Sequence, residues 1–75
     1  MRHLRLSCHA FWVDVRVAEL NGRWIATADT RDGPSVGLGW TPWQALTRAL
    51  EPYDGFIEEL LDTAPDDLLE HGVRG

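Results

Sequence analysis

Residues 11–30 read FWVDVRVAELNGRWIATADT. Phe11, Val13, Val15 and Val17 alternate with Trp12, Asp14, Arg16 and Ala18, the two-residue period of a half-buried strand. Asn21-Gly22 interrupts that pattern. It is the strongest short hairpin signal, because both central positions of its turn need positive φ. RWIATADT, residues 23–30, then reads as the returning strand. A two-residue turn sets the register: Leu20 opposite Arg23, Glu19 opposite Trp24, Val17 opposite Ala26, Val15 opposite Ala28. On the other face Arg16 meets Thr27 and Asp14 meets Asp29. This register gathers most apolar residues on one side, and a slip of one residue would move them all to the other. Ala26 and Ala28 are small for a core face and leave room for a helix.

Working outward, RDGP at 31–34 is turn chemistry, and SVGLG at 35–39 is expected to form a short third strand. Thr41 then reads as an N-cap, with Pro42 at the first helical position and Gln44 at the third. That is a capping box, with proline where its missing N–H does no harm. Ala45, Leu46, Ala49 and Leu50 form one helical face. Pro52 ends or kinks this helix, since an interior proline removes a hydrogen bond. A second segment capped by Asp54 and a single kinked helix are equally consistent with PYDG. Beyond it Phe56, Ile57, Leu60 and Leu61 repeat the apolar face, and Glu58, Glu59 and Asp62 form the wet side. PDDLLEHG reads as a last short turn ending at Gly72. At the other end of the chain, HLRLS offers an extra edge strand.

The 75 residues are expected to form one domain spanning 1–75. So short a chain buries only about 60% of its unfolded surface and needs reinforcement from a disulfide, a metal or self-association. Cys8 is the single cysteine, so an internal disulfide is excluded. Self-association is the expected reinforcement, and a homodimer its simplest form. No run of eighteen apolar residues signals a membrane span. The basic N-terminus lacks the apolar core of a signal peptide, so the expected location is cytoplasmic. Residues 1–50 carry six arginines and four acids, whereas 51–75 carry eight acids and Arg74. An acidic chain with net charge −5 and no lysine is a poor nucleic-acid binder, and no direct nucleic-acid contact is expected.

Chemistry is sparse. Gly37 and Gly39 precede a helix, as phosphate cradles do, but the third glycine of a dinucleotide fingerprint is missing and Pro42 removes a needed N–H. They read as turn glycines. His3, Cys8 and His9 do not read as a metal site, because adjacent residues of a strand point to opposite faces. No metal and no cofactor is expected. Asp14 and Asp29 read as a solvated pair offset by Arg16 and Arg31 rather than as an acid–base couple. No catalytic residues are assigned, and the chain is not expected to be an enzyme. The tryptophans remain. Trp24 lies on the core face. Trp12 on the outer face, Trp40 before the cap and Trp43 at the second helical position are candidate partner-binding residues, because interfaces are enriched in tryptophan.

Residues 22–50, GRWIATADTRDGPSVGLGWTPWQALTRAL, resemble the N-terminal domain of HicB-like antitoxins. The likeness rests on Gly22, Ala26, the Asp32-Gly33-Pro34 turn, Gly39, Thr41 and Ala45, and it covers about residues 11–63. Gln44 stands where the family has Glu, the turn's proline and glycine are reversed, and Trp40 takes a place usually polar. No ribbon-helix-helix or helix-turn-helix domain follows. The resemblance implies an α+β fold: three to four antiparallel strands with a helix, broken or kinked near Pro52, packed on one face. It also implies a non-enzymatic, protein-binding module that masks a basic, RNA-cleaving toxin of the HicA type. The acidic surface would speed that association. The alternative is a small homodimeric adaptor with no toxin–antitoxin role.

Overall fold

The computed structural model describes residues 1–68. Four strands lead: β1 (Arg2–Ser7), β2 (Trp12–Leu20), β3 (Arg23–Thr30) and β4 (Gly33–Gly39). Then come α1 (Pro42–Ala49), a single 3-10 turn (Glu51–Tyr53) and α2 (Ile57–Leu61). The strands form one antiparallel sheet in the order β1-β2-β3-β4. This is the expected α+β architecture, with all four strands present and HLRLS at one edge.

The Asn-Gly hairpin has the anticipated geometry. Asn21 takes φ 54° and Gly22 φ 79°, and the register places Leu20 opposite Arg23, Val17 opposite Ala26 and Val15 opposite Ala28. β1 adds Leu4 opposite Val15 and Leu6 opposite Val13. The centre of one face of the sheet is thereby apolar, with Arg2, Glu19, Thr30 and Ser35 at its margins. Val13, Val15, Val17, Ala26 and Ala28 are all buried, and the helices cover them. Phe11 joins from outside the strand, packing edge-on against Phe56 at 5.2 Å between ring centroids.

The second turn is tighter than RDGP implied. Thr30 pairs with Gly33, and Pro34 already lies in β4 opposite Asp29. Only Arg31 and Asp32 bridge the strands, with Gly33 at φ 114°. The Thr30 hydroxyl accepts from the Asp32 N–H at 3.2 Å and donates to the Gly33 carbonyl. Proline is tolerated in β4 because β4 is an edge strand, with one side free of ladder bonds.

Gly37 and Gly39 are not turn residues. Both lie in β4, and neither needs positive φ. A Cβ on Gly37 would come within 2.2 Å of the Ala45 carbonyl oxygen and 2.4 Å of the Ala49 nitrogen. A Cβ on Gly39 would meet the Gln44 Cβ at 2.5 Å. These glycines let the backbone of α1 lie directly on β4, and the fully buried Ala26 and Ala28 extend that flat seat into β3.

α1 begins as its sequence implied. Thr41 is the N-cap, and its hydroxyl accepts from the Gln44 N–H at 3.1 Å. The return arm of the capping box is displaced by one residue: the Gln44 side-chain oxygen accepts from the Trp40 N–H at 2.9 Å. Thr41→Ala is expected to cost about 1 kcal/mol, read as a shift in the urea midpoint at unchanged slope. A cost near zero would mean that Pro42 and the Gln44 arm hold the helix start alone.

The helix is broken at Pro52 rather than kinked. α1 closes at Leu50, whose N–H donates to the Leu46 and Arg48 carbonyls, and Pro52 sits inside the 3-10 turn. Asp54 does not cap the second segment. Gly55 turns the chain at φ 97°, so the cap position falls to Phe56, which makes no side-chain cap bond. Leu60 and Leu61 are buried and Glu58, Glu59 and Asp62 exposed, as the periodicity implied. Residues 66–68 are helical and Leu68 is buried. The expected stop at Gly72 lies outside the described residues. No described helix is long and apolar enough to cross a membrane.

Candidate interaction surface

Because side chains alternate along a strand, the β4 residues between the glycines point away from α1. Val36 and Leu38 therefore stand on the open face of the sheet. Leu38 pairs with Ile25, and Ile25 with Ala18, an apolar row running across three strands. Leu20 ends β2 beside it. Val36, Leu38 and Leu20 are 59%, 47% and 59% exposed. None of the three was anticipated as a contact residue. The signal was present: once SVGLG is read as a strand whose glycines face the helix, its valine and leucine must face water.

Trp40 continues this surface around the end of the sheet. It follows Gly39 directly and is 64% exposed. The Arg23 guanidinium lies 4.6 Å from its ring centroid, a cation–π arrangement that holds the indole beside the hairpin turn. Trp43, at the second position of α1, is 47% exposed. Its neighbour Pro42 is buried and takes the core-facing position, which leaves the larger ring outside. Thr41 and Gln44 thus set the helix start between the two tryptophans.

Trp12 stands apart from them. It begins β2 opposite Ser7, whereas Trp40 lies by Arg23, opposite Leu20 at the other end of the same strand. Eight strand steps separate those ends, roughly 26 Å. Trp12 is exposed, with the Arg5 guanidinium 3.9 Å from its ring centroid. The three tryptophans do not form one patch. Trp24 occupies the core side, partly buried against the apolar cluster.

The outer edge of β4 is blunted as a template for another strand. Pro34 has no N–H to offer, and the Arg48 guanidinium donates to the Leu38 carbonyl. Edge strands are commonly protected in such ways. Arg48 and Arg23 also line a small hollow with Leu38, Gly39 and Trp40, so this end of the surface is apolar with a basic rim. Among the described acids of the C-terminal half, Glu51 lines a hollow beside this surface with Val36, Leu38 and Arg48, whereas Glu58 and Glu59 lie on α2 and Asp62, Asp66 and Asp67 after it. Asp14 and Asp29 are each paired with an arginine, Arg5–Asp14 at 3.0 Å and Arg16–Asp29 at 3.1 Å. Arg5, not Arg31, offsets Asp14, because β1 pairs with β2 and puts Arg5 directly opposite it. Exposed pairs of this kind contribute at most about 1 kcal/mol each.

A second cluster sits at the far end of the sheet. The expectation that Cys8 and His9 point to opposite faces fails because neither is in a strand. They lie in the β1–β2 connection, closed by a Cys8 N–H to Phe11 carbonyl bond of 2.9 Å. There the ligand-type atoms of Cys8, His9 and Glu59 all fall within 4.8 Å of one another. Glu59 accepts from the His9 backbone N–H and lies 3.0 Å from His9 Nδ1 with each carboxylate oxygen. The backbone N–H bond is the main cause holding the Glu59 carboxyl below its ordinary value, with the imidazole adding to it. A lowered carboxyl pKa stabilises the fold above the ordinary carboxylate range, and that stabilisation is lost as pH falls through the lowered value.

Comparison with protein-family models, curated proteins and solved structures finds no match to this chain.

Proposed function

We propose that the chain is a non-enzymatic protein-binding module that self-associates through the surface made by Val36, Leu38, Trp40 and Trp43. The observation that carries this reading is the pair of exposed indoles flanking the α1 cap, continuous with an exposed apolar row on the open sheet face. The cap needs only Thr41 and Gln44. It does not account for two large aromatics at positions where small polar residues would serve as well. Apolar surface of this kind on a soluble domain marks a contact site, and a tryptophan anchor typically contributes about 2 kcal/mol or more. The basic rim of Arg23 and Arg48 favours an acidic counterpart. A second copy supplies one, because eight of the twelve acids fall in residues 51–75.

The same acids, where a second copy does not cover them, offer a face to a basic partner. By the resemblance to HicB-like antitoxins, we propose a basic, RNA-cleaving toxin of the HicA type as its partner. The second reading is a homodimeric adaptor with no toxin, favoured by the basic rim, which matches a copy of this chain better than it matches a basic toxin.

The double variant Trp40→Ala, Trp43→Ala is expected to stay folded by circular dichroism and to associate about thirtyfold more weakly. Sedimentation equilibrium checks the self-contact, and co-expression with a HicA-type toxin checks the partner. Unfolding of the variant would place both indoles in the core. A folded variant with unchanged association would move the surface elsewhere. Wild-type dimer formation without toxin neutralisation would select the adaptor reading.

A further inference from the structure

We propose that Cys8, His9 and Glu59 form a zinc site that staples the β1–β2 connection to α2. A thiolate, an imidazole and a carboxylate are the donor types zinc takes. A tetrahedral ion with Zn–N and Zn–O near 2.0–2.2 Å and Zn–S near 2.3 Å sets its donors roughly 3.3–3.7 Å apart. The three donor atoms lie within 4.8 Å of one another, and His9 Nδ1 and the Glu59 oxygens already stand 3.0 Å apart. Closing the remaining gap asks for about an ångström of side-chain movement. The fourth position is left to water.

The two halves of the site are held together by contacts that do not involve its donor atoms. The Ser7 N–H donates to the Thr63 hydroxyl at 3.0 Å. Phe11 packs on Tyr53 at 5.0 Å and on Phe56 at 5.2 Å between centroids. Cys8 is partly buried against the core, so its sulfur is confined. These contacts bring a residue 50 positions away beside an adjacent Cys-His pair. The cluster is therefore built by tertiary structure, with its main chain positioned before any ion arrives.

Binding would release the Cys8 thiol proton to solvent, with His9 ligating through a deprotonated nitrogen. Zinc would bind the folded chain more tightly than the unfolded one, since only folding brings Glu59 to the adjacent Cys8-His9 pair, and so raises the unfolding midpoint with concentration. A small domain without a disulfide gains most from such a staple.

Cobalt(II) is the probe, added to the full reduced chain. One equivalent is expected to give a thiolate-to-cobalt charge-transfer band and tetrahedral d–d bands, both removed by one equivalent of zinc. Cys8→Ser is expected to abolish the charge-transfer band. His9→Ala and Glu59→Gln are expected to weaken binding by at least about tenfold, the loss that even an outer-shell change costs a metal site. Absence of the band in the parent chain, or binding unchanged in all three variants, overturns the site. X-ray absorption of the zinc-loaded parent needs no variant to fold: a first shell with one sulfur supports the assignment, and a shell without sulfur overturns it.

Discussion

Gly37→Ala is expected to destabilise this protein by about 3 kcal/mol or more, the upper range for forcing extra volume into a packed interior. The added carbon would stand 2.2 Å from the Ala45 carbonyl oxygen, 2.4 Å from the Ala49 nitrogen and 2.9 Å from the Arg48 Cβ. Two of these are helix backbone atoms, which move only if α1 moves as a body. α1 carries Leu46 and Leu50 into the core, both fully buried, so lifting it opens the interior. For a chain of this length the whole stability is about 4–11 kcal/mol, and a domain of 60–100 residues loses roughly 4–8 °C in melting midpoint per kcal/mol. Gly22→Ala is the control. It has open space around the new carbon and φ +79°, so its cost is limited to left-handed strain of about 1–2 kcal/mol. Thermal unfolding of both variants by circular dichroism decides the matter. A Gly37→Ala midpoint equal to that of the parent would mean that α1 does not rest on β4.

Leu60→Ala is expected to cost about 2–5 kcal/mol, the range for truncating a buried leucine. α2 has five residues and no side-chain cap, and helices that short do not persist on their own. Its shape depends on Leu60 and Leu61, which are 0% and 2% exposed. Truncating Leu60 therefore removes core volume and loosens the element that brings Glu59 to His9. Urea unfolding is expected to show a lower midpoint, and the pH dependence contributed by Glu59 should shrink with it. A midpoint shift worth less than about 1 kcal/mol would mean that the cavity collapses without loss, or that α2 adds nothing to the core.

Much of this fold was legible residue by residue. The valine alternation and Asn21-Gly22 defined the hairpin to the residue, because a two-residue turn admits a single pairing and only one pairing buries Val13, Val15 and Val17 together. Thr41, Pro42 and Gln44 marked the helix start through local hydrogen bonding, which needs no partner far along the chain. Less was legible at 31–34 and 54–56. There several turn geometries suit the same glycines and acids, and the choice falls to how the flanking elements pack. The tryptophans were legible as exposed residues, but not as members of one patch. Alternation assigns Trp12 to the outer face without saying that it lies at the opposite end of the sheet from Trp40.

What the sequence by itself determined is therefore local: the strand period, the hairpin register, the capped start of α1 and its buried face, with Pro52 marked as an interruption whose form, break or kink, was left to the tertiary structure. Each depends on interactions within a few residues or on a pairing dictated by a tight turn. The roles of Gly37 and Gly39 and the meeting of Cys8 and His9 with Glu59 were decided by tertiary structure alone. A glycine reads the same whether it turns the chain or seats a helix, and only the approach of α1 to within 2.2 Å of a would-be Cβ separates the two. Side chains 50 residues apart meet only once a sheet edge and a helix have packed on one core, and no periodicity in the chain encodes that distance.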